Sequence, residues 1–124
     1  MAVLTLNCVE TVFVIAGLVH KIGQGAMNDV WSSVDLGASW TNLVADGSTS
    51  AFSQRGYASV ATLDNKIFLV GGISGSTTLY LAQFLPPVDF MFLCRTDVWV
   101  SSNGQTWMLL NANPGFNSFP VCQT

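Results

Sequence analysis

Asp35 stands in Ser33-Val34-Asp35-Leu36-Gly37-Ala38-Ser39-Trp40, and Asn103 stands in the shorter Ser101-Ser102-Asn103-Gly104-Gln105-Thr106-Trp107. A loop carboxylate among hydroxyls has the chemistry of a metal ligand or a general acid. It also has the chemistry of a turn clamp: Asp and Asn accept backbone N–H bonds, and glycine supplies the positive φ that tight turns need. The neighbours favour the clamp, because Gly37 and Gly104 follow closely and Trp40 and Trp107 return as apolar mass. Asp35→Ala is then expected to lower stability and to leave ligand affinity nearly unchanged.

The other reactive side chains are sparse. His20 is the single histidine, beside Lys21, and Cys8, Cys94 and Cys122 show neither a CxxC nor a Cys/His metal spacing. No metal and no cofactor is read from them. The thiols are idle, or Cys94 and Cys122 pair in an oxidising compartment; both readings stay open. Gly71-Gly72 lacks the following Lys-Ser/Thr of a phosphate loop.

These residues need a scaffold, and composition limits its kind. The 124 residues are 50% hydrophobic and 9% charged, with a net charge of −3. Disorder needs the reverse balance. Four Lys and Arg are scattered as Lys21, Arg55, Lys66 and Arg95, so no basic patch awaits nucleic acid. The apolar stretches 2–19 and 79–94 contain Asn7 and Glu10, or Gln83, Pro86, Pro87 and Asp89. Neither suits a membrane-spanning helix, and no basic segment opens a signal peptide, so compartment is unassigned.

The sequence repeats. Trp31 and Trp99 are 68 apart, Trp40 and Trp107 are 67 apart, and Val12–Gly17 (VFVIAG) matches Ile67–Gly72 (IFLVGG) 55 residues on. An alternating run precedes each copy, Ala2–Leu6 and Tyr57–Leu63. Val, Ile, Phe, Thr and Trp dominate these runs with a period of two, and Asp64-Asn65, Gly71-Gly72 and Asn103-Gly104 punctuate them. Each copy reads as four short antiparallel strands, the unit of a β-propeller blade.

At these residues the chain resembles the kelch family of β-propellers, a likeness borne by Arg55, the alternating YASVAT, KIFLVGG (Lys66–Gly72) and Trp107. The turns resemble the Asp-box, Ser-x-Asp-x-Gly-x-x-Trp: Ser33, Asp35, Gly37 and Trp40 in full, and Ser101, Asn103, Gly104 and Trp107 in a shortened form. The first copy is weaker, with Ala16-Gly17 for Gly-Gly and its Arg falling before residue 1. The resemblance covers about residues 2–110. It implies an all-β fragment of a propeller with two four-stranded antiparallel blades. The first blade is residues 1–45, with a truncated first strand, followed by a connection at 46–56. The second blade is 57–112, with an apolar insertion at about 73–95, and a tail at 113–124 leads toward a further blade.

In such a blade the turn between strands three and four opens away from the other loops. A ligand is therefore expected on the face made by loops 18–27, 46–56 and 73–95, with His20, Lys21, Arg55, Tyr80 and Phe84 as candidate contacts. Trp31 and Trp99, mid-strand beside Val30 and Val98, are expected to pack between blades rather than to stack on a ligand. Ten residues separate Gly17 from Asn28 but twenty-three separate Gly72 from Thr96. That longer loop lines a ligand site, packs on a neighbouring blade or chain, or is foreign to the fold.

The resemblance implies a non-catalytic module that binds a protein or glycan. The alternatives are a remnant of a propeller enzyme, or a truncated repeat product with no independent function. Sialidase-like hydrolases need an Arg cluster and a Tyr nucleophile, whereas this chain has Arg55, Arg95, Tyr57 and Tyr80. Copper oxidases need paired histidines. Two blades leave apolar faces, so self-association through them is expected.

Overall fold

Two-residue turns open each half of the chain. Asn7 and Cys8 have φ of 48° and 64°, and Asp64 and Asn65 have 49° and 54°. Paired positive φ values define the type I′ turn, whose twist suits a right-handed hairpin. The computed structural model describes residues 1–18, 25–74 and 93–112. They form β1 (Ala2–Leu6), β2 (Val9–Leu18), β3 (Ala26–Ser33), β4 (Thr41–Val44), β5 (Ser59–Leu63), β6 (Lys66–Ser74), β7 (Leu93–Ser101) and β8 (Met108–Asn111). No helix occurs among the described residues, so none there is long and apolar enough to cross a membrane.

The strands make two four-stranded antiparallel sheets, ordered β1-β2-β3-β4 and β5-β6-β7-β8. The sheets repeat in detail. Val12 pairs Ser33 and Val14 pairs Trp31, as Ile67 pairs Ser101 and Leu69 pairs Trp99. Register breaks between Ile15 and Gly17 and, at the matching place, between Val70 and Gly72. The bulged residue is left-handed in both, Ala16 at φ 56° and Gly71 at φ 64°. Alanine is strained there and glycine is not. Ala16→Gly should therefore raise the unfolding free energy by roughly 0.5–1 kcal/mol, read as a higher urea midpoint; an unchanged or lower midpoint would deny the strain.

The sheets stack front to back. The face of the first sheet bearing Ala2, Leu4, Phe13, Ile15, Val30 and Val44 shares one core with Ile67 and Leu69 of the second, with Val60 and Trp99 packed beside them. Phe68, Val70 and Val98, the counterparts of Phe13, Ile15 and Val30, are outside that core. Like faces therefore do not meet, as they would in a sandwich closed on itself. Contacts between the sheets centre on β1 with β5 and β6, so the first strands converge. The fold is all-β, two four-stranded antiparallel sheets stacked front to back, an arrangement also adopted by neighbouring blades of a propeller.

Candidate functional site

The two ends of the stack differ in chemistry. At one end lie the turns that follow β3 and β7. Ser33 Oγ donates to Asp35 Oδ1 (2.7 Å) and accepts from the Gly37 backbone N–H (2.8 Å). Asp35 accepts from the Ser39 backbone N–H (2.8 Å) and from Ser39 Oγ (2.6 Å). The second turn repeats the scheme: Asn103 Oδ1 accepts the backbone N–H groups of Gln105 and Thr106, both at 2.9 Å. Each closing indole donates back to the turn, Trp40 to the Gly37 carbonyl (3.0 Å) and Trp107 to the Gly104 carbonyl (2.9 Å). Trp107 also meets Phe52 edge-on, with ring centroids 5.1 Å apart.

Asp35 is exposed, yet its carboxyl is held down to about 2 by the Ser39 hydroxyl, then by the Ser39 backbone N–H and by Ser33. A depressed carboxyl pKa favours the folded state above the unfolded value, and the effect is lost as pH falls through about 2. A carboxyl-detected NMR titration should place the Asp35 midpoint near 2. Ser39→Ala should move it up, and a midpoint indifferent to Ser39→Ala would refute the assignment.

The opposite end is organised by the connection between the sheets. Asn28, buried in β3, donates from Nδ2 to the carbonyls of Ser48 and Phe52 (2.8 Å each) and accepts from the Gly47 N–H (2.7 Å). Asp46 accepts from the Asn28 N–H and from Gln54 Nε2, both at 3.0 Å. The Gln54 bond leads in lowering its carboxyl pKa, against a smaller effect of burial. The backbone then joins both sheets: Gly17 N donates to the Arg55 carbonyl, Arg55 N to Met27, and Gly56 bridges Ile73. Residues 55–56 thus tie together the roots of the β2–β3 and β6–β7 connections. Tyr57 stands beside them, exposed and left-handed at φ 55°.

Arg55 corrects the sequence reading. It was expected to face a ligand, but its side chain is 0% exposed. The guanidinium makes a bidentate pair with Asp97, at 2.7 and 2.8 Å, and donates to the Gly71 carbonyl, the Ser53 carbonyl and Ser53 Oγ. It also lies over the Phe52 ring, 5.5 Å from the centroid. Every donor direction is used inside the protein. Asp97 accepts from Trp99 Nε1 as well (2.8 Å), a bond repeated by Asp29 and Trp31 (2.7 Å). Burial pushes the Asp97 carboxyl up, but hydrogen bonds from Arg55 and Trp99 and the charges of Arg55 and Arg95 together hold it below the usual carboxylate range.

The remaining expected contacts, His20, Lys21, Tyr80 and Phe84, lie outside the described residues, as does most of the 73–95 insertion. Among the described residues no group of three His, Cys, Asp or Glu is placed to hold a metal ion. Of the two strand tryptophans, Trp99 packs on the inter-sheet core while Trp31 is exposed. A groove of about 340 Å³ opens at the Asp35 and Asn103 end, lined by Leu6, Val9, Phe13, Val34, Leu43 and Asn103 among others. It arises because the first hairpin is longer than the second: Ala2 pairs Phe13 where Ala61 pairs Phe68, so Leu6 and Asn7 extend past the matching end of β5. Sequence reasoning missed this overhang and missed Asn28, Asp97 and Tyr57. The Asp that precedes each Val-Trp pair was the available signal for Asp97.

No protein-family model matches the chain, and no curated protein matches it.

Proposed function

We infer that the chain is a non-catalytic, kelch-like module that binds a protein or a glycan through its loop end. One observation carries the reading: Arg55, Asp97, Asn28 and Asp35, the side chains best suited to chemistry, hold backbone and one another in place. The same polar groups gather the 45–58 connection and the roots of two longer loops into one surface, the usual way a rigid scaffold presents recognition loops. The Asp-box-like turns serve the scaffold. Tyr57, exposed at that surface, is an aromatic anchor of the type enriched in recognition sites.

The test is a screen of the labelled chain on glycan and protein arrays, repeated with Tyr57→Ala and Asp35→Ala. A ligand should be lost at least tenfold with Tyr57→Ala and be retained by folded Asp35→Ala. Footprinting of that ligand at the groove around Val34 and Asn103 would reject the loop end.

A further inference from the structure

Because the sheets are repeats, each stacking face can be recognised in both copies. The second sheet buries its back face in the core: Leu69 is 0% exposed, Trp107 is 6% exposed, and Ile67 and Trp99 pack with them. The matching residues of the first sheet are Val12, Val14, Trp31 and Trp40. Val14 is 42% exposed, Trp31 38% and Trp40 40%. The converse holds at the front. Phe13 and Val30 are 0% exposed, while their counterparts Phe68 and Val98 are only half-buried. The chain therefore contains one assembled front-to-back interface, one uncovered back, and a front on which Phe68, Val70 and Val98 are half-buried while Val100 and Thr96 are buried.

We propose that a second copy of this chain covers that back face, and that the faces meet as the two sheets meet within one chain. Phe68, Val70 and Val98 of one copy lie over Val14, Trp31 and Trp40 of the next. Two features single out a second copy as the occupant. The internal interface shows that a front of this repeat fits a back of this repeat, with Phe13, Ile15 and Val30 in one cluster with Ile67, Leu69 and Trp107. The rims are also complementary in charge. Lys66 begins β6 on the front face, in line with Phe68 and Val70, and Glu10 lies on the back face, in line with Val12 and Val14. Both are exposed and both sit at the hairpin end of their sheet. Opposite charges at a rim set register and speed encounter. Only 9% of residues are charged, so little net repulsion opposes the contact. The interface is heterologous, and such contacts close into rings or run on as open assemblies. It does not depend on what the loops bind.

Light scattering over a concentration series provides the test. The wild-type chain should exceed the 13.3 kDa of a single copy. Trp31→Glu blocks the back and Val70→Glu blocks the front, so each alone should be a monomer. Mixed, they retain one intact front and one intact back, and should form a species of twice the single mass and no larger. Nonspecific association gives no such complementation. Glu10→Lys, an exposed change that does not threaten folding, should weaken assembly, and Glu10→Lys with Lys66→Glu in one chain should restore it. A monomeric wild type, self-association of either blocked variant, or a mixture that stays monomeric would overturn the proposal.

Discussion

Asp97→Ala should destabilise the protein by about 3–5 kcal/mol, the scale set by removing one partner of a buried ion pair. The substitution leaves the Arg55 guanidinium fully buried with its charge uncompensated. Its bonds to Gly71 and Ser53 remain but cannot neutralise it. Total stability of a small domain is about 5–15 kcal/mol, so this loss takes a large share of it. Removing both charges is different: Arg55→Met with Asp97→Leu should fall much closer to wild type, because no orphan charge stays inside. Urea unfolding of the single and double variants measures both. Acid should act in the same direction as the single change. The Asp97 carboxyl is depressed in the folded state, so its contribution is fully present above the unfolded value of about 3.9 and is lost as pH falls through the folded value. Equal losses in the single and double variants would show that packing, not the buried charge, governs the site.

Gly104→Ala should cost about 2–5 kcal/mol, from left-handed strain together with overpacking. Gly104 has φ of 76°, and a methyl group there would overlap the ring of Phe13 and crowd Leu43. Phe13 is 0% exposed in the core and has nowhere to move. Gly37 is the internal control. It is also left-handed, at φ 94°, but a methyl group there only touches Trp40 at an ordinary 3.5 Å. Gly37→Ala should therefore cost only the backbone strain, about 1–2 kcal/mol. The difference between the two variants isolates the contact between the sheets. Thermal or urea melts in parallel would show it, and equal losses would place Gly104 away from that contact.

The strands were legible because each is a local pattern: alternation, β-branched residues, and a turn pair at Asp64 and Asn65. The turns around Asp35 and Asn103 were legible for the same reason, since every partner lies within a few residues. Arg55 was misread because its partner is 42 residues away, at Asp97, and the pair exists only once β6 and β7 stand beside the connection. Nothing local distinguishes an arginine that leaves the surface from one that stays on it. The tryptophans make the same point. Trp31 and Trp99 share the Asp-Val-Trp context and the same indole bond, yet one is exposed and the other packed. Burial there is decided by position in the stack rather than by sequence. The overhanging first hairpin was hidden because Ala2–Leu6 and Tyr57–Leu63 look alike, while the pairing register differs.

The front-to-back stacking of two repeats underlies every statement about the loop end, the buried pair and the uncovered back face. It is tested most directly by nuclear Overhauser contacts to the Phe13 ring in solution. Contacts are expected across the boundary between the sheets, from the Gly104 α-protons to the Phe13 ring and to the Leu43 methyl groups. Contacts from Phe13 to Phe68 or Val100 instead would mean that like faces meet, and would contradict it.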